Sequence, residues 1–254
     1  MLTIDLSGKV AVVTGGAGQL GRVMVRTLAD CGADVAIHYH HSEEQARSLL
    51  AELTAKGLRA QAVQADVGDL GSVLAMRAAV VAGLGQPDIL VNNAVAQYSW
   101  VTLLEQPVED YESQFRTCVL QNVFMAKAFV PGMQEKRWGR IIAISTDAAM
   151  LCEPVSSAYA SGKRGMDGVL RVLAKEIGQY NITVNQVAPG WTVTEASRAA
   201  GTESQPALEA RLPLRRRSQD YDIANAVAFL ASDLAGDITG AYLPVCSGLV
   251  MPAI

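Results

Sequence analysis

Two rhythms alternate along the chain. Short apolar runs rich in β-branched residues predict strands at Lys9–Thr14 (KVAVVT), Asp34–Tyr39, Ala60–Ala65, Ile89–Val91, Gly139–Ser145 (GRIIAIS), Ile182–Val187 and Tyr242–Val245. Between them, apolar residues recur at helical spacing. This predicts helices over Arg22–Cys31, Ser42–Lys56, Leu70–Leu84, Asp110–Gln134 with a break near Pro131, Tyr159 to about Gln179, and Asp222–Ser232. Ser42 is placed to cap its helix, with Glu43 and Glu44 in the first turn and Gly57 at the end. Strands alternating with helices through short connections specify an α/β chain: a doubly wound parallel sheet of about seven strands with helices on both faces. No linker, repeat or low-complexity stretch divides residues 1–254, so a single domain is expected. Residues 195–218 carry no strong period beside the expected ligand edge and are the expected substrate lid.

Composition narrows the class. The 254 residues are 50% hydrophobic and 18% charged, with 22 glycines, which suits buried strands joined by tight turns. A net charge of −4 offers no basic footprint, so no nucleic-acid partner is expected. Cys31, Cys118, Cys152 and Cys246 are scattered without a C-x-x-C pair, so neither a metal site nor a disulfide framework is expected, and reduced thiols fit a cytoplasmic protein. The first apolar run is too short to cross a bilayer and follows no signal-peptide pattern, so no membrane partner is expected.

Candidate chemistry gathers at Tyr159-Ala-Ser-Gly-Lys163. From Tyr159 the stripe runs through Lys163, Met166, Leu170, Leu173 and Ile177, so a phenol and an ammonium begin a face that elsewhere points at a core. A cation beside a phenol favours phenolate, which makes a general acid or base; the plain alternative is a satisfied core tyrosine and a snorkelling lysine. Gly15-Gly-Ala-Gly-Gln-Leu-Gly21 joins the first strand to the first helix and matches G-x-G-x-x-G at Gly16, Gly18 and Gly21. Its backbone N–H groups and the positive helix end suit a phosphate, which makes the fold Rossmann-type; a tight turn without ligand is the alternative. The acid that would hold an NAD ribose, expected near Tyr39, is absent. His40, His41 and Ser42 follow instead, donors suited to a 2′-phosphate, so NADP is expected and NAD is the alternative. Asp66-Val67, Asn92-Asn93-Ala94, Thr146-Asp147 and Pro189–Thr194 all fall at or beyond strand carboxyl ends, where such sheets bind ligands.

In this order and spacing, TGGAGQLG at Thr14–Gly21, Asp66-Val67, NNA at Asn92–Ala94, YASGK at Tyr159–Lys163, NQVAPGWTVT at Asn185–Thr194 and FLASDLAGDITG at Phe229–Gly240 resemble the short-chain dehydrogenase/reductase family over nearly the whole chain. The resemblance implies an NAD(P)-dependent oxidoreductase that passes a hydride between nicotinamide and a carbonyl or hydroxyl carbon. It implies that Tyr159 moves the hydroxyl proton, activated by Lys163, which also bonds the nicotinamide ribose. It further implies cofactor contacts from Gly15, Gly18, Gln19, Leu20 and Gly21, from Tyr39, His40, His41 and Ser42, from Asp66 and Val67, from Asn92, Asn93 and Ala94, and from Pro189, Gly190, Thr192 and Thr194. The fragment IHYHHS at Ile37–Ser42 also looks like the strand end of NADP-using members such as pteridine reductases.

Departures from the family pattern cluster near the chemistry. The substrate-orienting serine position holds Thr146, which keeps the hydroxyl. The relay-asparagine position holds Cys118, a poor replacement for an amide that holds a water, with Asn122 one turn away. Gln19 replaces the middle glycine, Val95 the glycine after NNA, and Val245-Cys246-Ser247-Gly248 stands where VDGG is common. These departures motivate an alternative, a nucleotide-binding regulatory or scaffold protein with weakened chemistry; a dehydratase or epimerase on the same scaffold is a third. Tyr98, Trp100, Met150, Leu151, Trp191 and Val193 suggest a partly apolar pocket for a small-molecule substrate, by fold analogy a 3-oxoacyl compound. Gly162, Gly165 and Gly168 make a face open to close helix contact. Family members pair this helix, so a homo-oligomer, tetramer or dimer, is expected; packing within one subunit is the alternative.

Overall fold

A computed structural model describes residues 3–252. The chain begins with β1 (Val10–Val13), α1 (Gln19–Asp30), β2 (Asp34–Tyr39), α2 (Glu43–Ala55), β3 (Ala60–Gln64), α3 (Leu70–Gly83) and β4 (Ile89–Asn92). It continues through α4 (Val108–Gln114), α5 (Gln121–Lys136), β5 (Gly139–Ile144), α6 (Ala148–Leu151) and α7 (Ser157–Ile177). It ends with β6 (Ile182–Pro189), α8 (Glu195–Ala199), α9 (Pro206–Glu209), α10 (Asp220–Ala231) and β7 (Tyr242–Val245). The seven strands are all parallel in the order β3-β2-β1-β4-β5-β6-β7. Strands β1, β4, β5 and β6 are buried along their whole length, which explains why they read as continuous apolar runs rather than alternating ones.

Each face of the sheet has its own core. Met24 and Leu28 of α1, Leu49 and Leu53 of α2, and Ile223 and Val227 of α10 cover one face; Met76 of α3, Phe129 of α5, and Met166 and Leu170 of α7 cover the other. The strand order reverses between β1 and β4, which opens a crevice beyond their carboxyl ends. Asn93 bridges that crevice: its Nδ2 donates to the Thr14 carbonyl at 2.9 Å, and its own N–H donates to Thr14 Oγ1 at 2.8 Å.

Several boundaries depart from the expected ones, each for a local reason. Helix α1 begins at Gln19 rather than Arg22, because Gly18 is already its N-cap. Ser42 stands at the N-cap of α2, but its side chain makes no capping bond. Helix α10 starts at Asp220 because Gln219 and Asp222 form a reciprocal cap. The break expected near Pro131 is absent. Pro131 is exposed within α5, where it costs one backbone hydrogen bond, and the helix runs on to Lys136. The disruption lies upstream instead, where Phe115–Leu120 widens into a π-helical turn.

Candidate active site

The glycine turn is held by a histidine that the motif does not contain. His38 is buried in β2; its Nδ1 accepts the Gly15 N–H at 2.9 Å, and its Nε2 donates to the Ala65 carbonyl at 3.0 Å. Burial pushes its pKa down to about 4, so the ring is neutral and this single tautomer ties β1, β2 and β3 together at their carboxyl ends. Gly15 has φ +61°, and a Cβ on Gly21 would lie 2.0 Å from the Gly15 carbonyl oxygen, so the turn closes only with glycine there. Gly18 leaves α1 without a side-chain cap and the first turn contains no acid. No side chain of the cap competes for the opening N–H groups of the helix, the kind of donor a pyrophosphate needs. Tyr39 is half-buried at the end of β2, and His40, His41 and Ser42 are exposed just beyond it, the two rings 3.7 Å apart. Asp66 and the buried Val67 follow β3, with Asp66 Oδ1 accepting from Gly68 N–H at 2.8 Å. Ala94 N–H donates to Thr14 Oγ1 at 3.0 Å, which fixes the chain beyond β4 against the end of β1.

Tyr159, Thr146 and Gly190 line one cavity of about 900 Å³ at the carboxyl edge. Lys163 lies buried one turn below Tyr159; its Nζ donates to the Ile144 carbonyl at 2.7 Å and sits 5.6 Å from the Tyr159 ring centroid. Tyr98 stacks on Tyr159 at 5.3 Å and 16°, and Trp100 continues the aromatic wall 4.7 Å further on. Leu151 and Trp191 complete the apolar side; Met150 and Val193, expected there, lie outside the cavity wall, Val193 being buried. Thr146 is held from behind, its carbonyl accepting the Tyr242 hydroxyl at 2.6 Å and its Oγ1 accepting Ala148 N–H at 3.2 Å. Asp147 also lines the cavity, and burial pushes its pKa up to about 6.

Cys118 does not line this cavity. It sits in the π-turn with its thiol 3.7 Å from Gln114 Oε1, and burial raises its pKa, so it stays protonated. The turn's carbonyls are taken by side chains one turn on. Asn122 Nδ2 donates to the Cys118 carbonyl at 2.7 Å and Asn122 Oδ1 accepts from Asn92 Nδ2 at 2.7 Å, while Gln121 Nε2 bonds the carbonyls of Thr117 and Ala94. Asn122 thus contacts the backbone at position 118 without taking the place of its side chain.

Residues 195–218 fold over the cavity's outer side, contributing Leu208, Leu212 and Arg217 to its wall. Arg217 is 2% exposed and donates to the carbonyls of Trp191, Thr192, Thr202 and Glu203. Thr194, rather than reaching inward, caps α8 by accepting Ser197 N–H at 3.3 Å, and Thr192 Oγ1 donates to the Gly190 carbonyl at 2.9 Å. Gln19, where the family pattern has glycine, accepts Ala196 N–H at 3.2 Å, and Glu195 pairs with Arg22 and Arg26. His38, Gln121, Asp147 and Arg217 carry no role in the sequence motifs. Two left a signal there: His38 as a polar residue interrupting the buried run of β2, and Asp147 as the acid beside Thr146 at the carboxyl end of a strand.

The Enoyl-(Acyl carrier protein) reductase family model matches residues 15–250. Over 245 residues the chain is 38% identical to 3-oxoacyl-[acyl-carrier-protein] reductase FabG of Staphylococcus aureus, covering 96% of this chain and 98% of the relative. A blue fluorescent protein from a metagenomic library, solved with NADPH, superposes with a TM-score of 0.87 at 36% identity, covering 97% and 100% of the two chains. A 7α-hydroxysteroid dehydrogenase complexed with NADH and 7-oxo glycochenodeoxycholic acid superposes at 0.88 and 29% identity, covering 97% and 96%. Fold, glycine turn and likeness together define an oxidoreductase of the NAD(P)-dependent class. The chain belongs to the short-chain dehydrogenase/reductase family. Among the described residues, no helix is long and apolar enough to cross a membrane.

Proposed function

We propose that the protein uses NADP, with NAD as the lesser alternative, to interconvert a carbonyl and a hydroxyl on a small, partly apolar substrate. The observation that carries this reading is the meeting of Tyr159 and Thr146 on one cavity, with the buried Lys163 directly beneath the tyrosine. The bound nicotinamide supplies the hydride acceptor or donor. Tyr159 holds the proton that enters or leaves the substrate oxygen, and the Thr146 hydroxyl orients that oxygen. Lys163 lies beside the phenol and is oriented by its bond to the Ile144 carbonyl, with its remaining N–H groups left for a ribose. The α1 N-terminus receives the pyrophosphate. The exposed His40, His41 and Ser42, without an acid at the end of β2, favour the extra phosphate of NADP. The apolar wall and the FabG relative favour a 3-oxoacyl compound as one substrate type. Residues 195–218 act as the lid.

The same family supports assembly into a homo-oligomer. On α7, Val172 is exposed one turn beyond Gly168, where a Cβ would meet nothing within 4 Å. Light scattering of the purified chain tests this.

The activity is tested with Tyr159→Phe, by following reduction of a 3-oxoacyl thioester at the nicotinamide absorbance. The expected loss is about 10²–10⁴-fold in kcat, with the NADPH dissociation constant changed by less than about threefold. An unaffected rate would refute the role of Tyr159. A wild-type protein that binds NADPH but reduces no carbonyl would favour the regulatory reading that Cys118 motivates.

A further inference from the structure

Asp147 is the unexplained group in the cavity. It follows Thr146 directly, lines the same space and is 8% exposed. Its Oδ1 receives a long 3.5 Å contact from Thr146 Oγ1, the nearby N–H groups of Ala148 and Asp147 favour the carboxylate weakly, and Oδ2 has no side-chain hydrogen-bond partner among the described residues. No cation pairs with it among those residues. Glu153, the other acid of the wall, stands 3.7 Å from Arg211, and the buried Arg217 donates to backbone carbonyls instead. The backbone of Asp147 is held by its N–H bond to the Pro189 carbonyl at 2.9 Å, and its carboxylate packs against Gly190, Oδ2 lying 3.0 Å from where a Cβ there would be. A buried carboxylate is costly unless something bonds it, and here the free oxygen faces a cavity whose other walls are mainly apolar.

We propose that Asp147 is a specificity residue: it accepts a hydrogen bond from a hydroxyl on the carbon next to the reacting carbonyl, and its charge rejects a carboxylate at that position. The preferred substrates are therefore α-hydroxy ketones, or the corresponding vicinal diols in the oxidative direction, ahead of plain ketones and far ahead of 2-oxo acids. The inference rests on the reading of this cavity as the substrate site, and it adds a chemical class which that reading does not contain. A hydrogen bond to a charged acceptor, made in one complex and absent from the other, separates such substrates by about 10–100-fold.

Three aryl ketones that differ only at the neighbouring carbon test it: acetophenone, 2-hydroxyacetophenone and phenylglyoxylate. With NADPH, the wild type should favour 2-hydroxyacetophenone over acetophenone by about tenfold or more in kcat/KM, and phenylglyoxylate should be the poorest by a similar factor. Asp147→Ala removes both charge and acceptor, so the hydroxyl preference should fall to within about twofold. Asp147→Asn keeps an acceptor of the same shape and loses the charge, so the phenylglyoxylate penalty should vanish while part of the hydroxyl preference stays. The Asn variant also serves as the test if the Ala variant does not fold. Dissociation constants of the three ketones for the Tyr159→Phe–NADP⁺ complex, read by tryptophan fluorescence, give the same ratios without turnover. They decide the role of Asp147 even if Tyr159 proves dispensable. Equal ratios for the three ketones in the wild type, or wild-type ratios in both variants, overturn the proposal.

Discussion

His38 and Asp147 are both buried titratable groups, and burial acts on their stability contributions with opposite sign. His38 is pushed down to about 4 from 6.5, so below pH 6.5 the unfolded chain takes up a proton that the folded chain refuses, and stability falls until pH 4. Asp147 is pushed up to about 6 from 3.8, so between those values the folded chain holds the proton, and stability rises as pH falls from 6 to 3.8. Each shift corresponds to something on the order of 3 kcal/mol, and in the wild type the two largely offset each other. Asp147→Asn should therefore be more stable than wild type at neutral pH and lose that advantage on acidification to pH 4.5. Urea denaturation of both proteins across this range measures it; stability differences independent of pH would show that Asp147 is not buried as described. Neither group was legible as a partner in the sequence, because the Gly15 amide that His38 bonds is 23 positions away and the cavity around Asp147 exists only in the fold. Tyr159 and Lys163 were legible, because both belong to one helical turn.

At the scale of elements, the glycines of α7 divide by what they meet. A Cβ on Gly162 would lie 3.0 Å from the Gln114 carbonyl oxygen, and one on Gly165 3.0 Å from Val119 Cγ2, so the first two serve packing within the subunit. A Cβ on Gly168 meets nothing within 4 Å. Gly162→Ala should cost about 1–3 kcal/mol by forcing α7 off the π-turn, whereas Gly168→Ala should gain about 0.4–1 kcal/mol by restricting the unfolded chain. Thermal denaturation separates the two; the same sign for both would contradict the packing described. The seven strands and the long helices were legible from periodicity, with errors at their ends and inside the stretch expected as one helix over Asp110–Gln134. The π-turn was not, because a widened turn leaves the apolar pattern helical; it lies where Gln114 and Val119 pack closely against the glycines of α7. Pro131 was misleading for the complementary reason: on an exposed face its missing hydrogen bond is tolerated.

At the scale of the molecule, segments distant in sequence converge on one crevice, and Arg217 decides whether the outermost of them stays in place. Its buried guanidinium reaches four carbonyls from two stretches of chain, while the ion pairs of Glu195 with Arg22 and Arg26 are partly exposed and contribute little each. Arg217→Lys, with a single nitrogen, should free residues 195–218 to protease by about tenfold or more while far-ultraviolet circular dichroism stays native. Limited proteolysis read by mass spectrometry checks this, and undiminished protection would assign that segment's order to other contacts. The sequence alone determined the alternation of strand and helix, the strand ends that border the crevice, and the placing of Tyr159 and Lys163 on one helical turn, since these depend on neighbours within a turn or on the period of burial. Only the tertiary structure decided which helix turn widens, which histidine locks the glycine turn, and which carboxylate lines the cavity. Those outcomes depend on atoms brought together across the sheet, where burial and missing partners set the energies that no local pattern encodes.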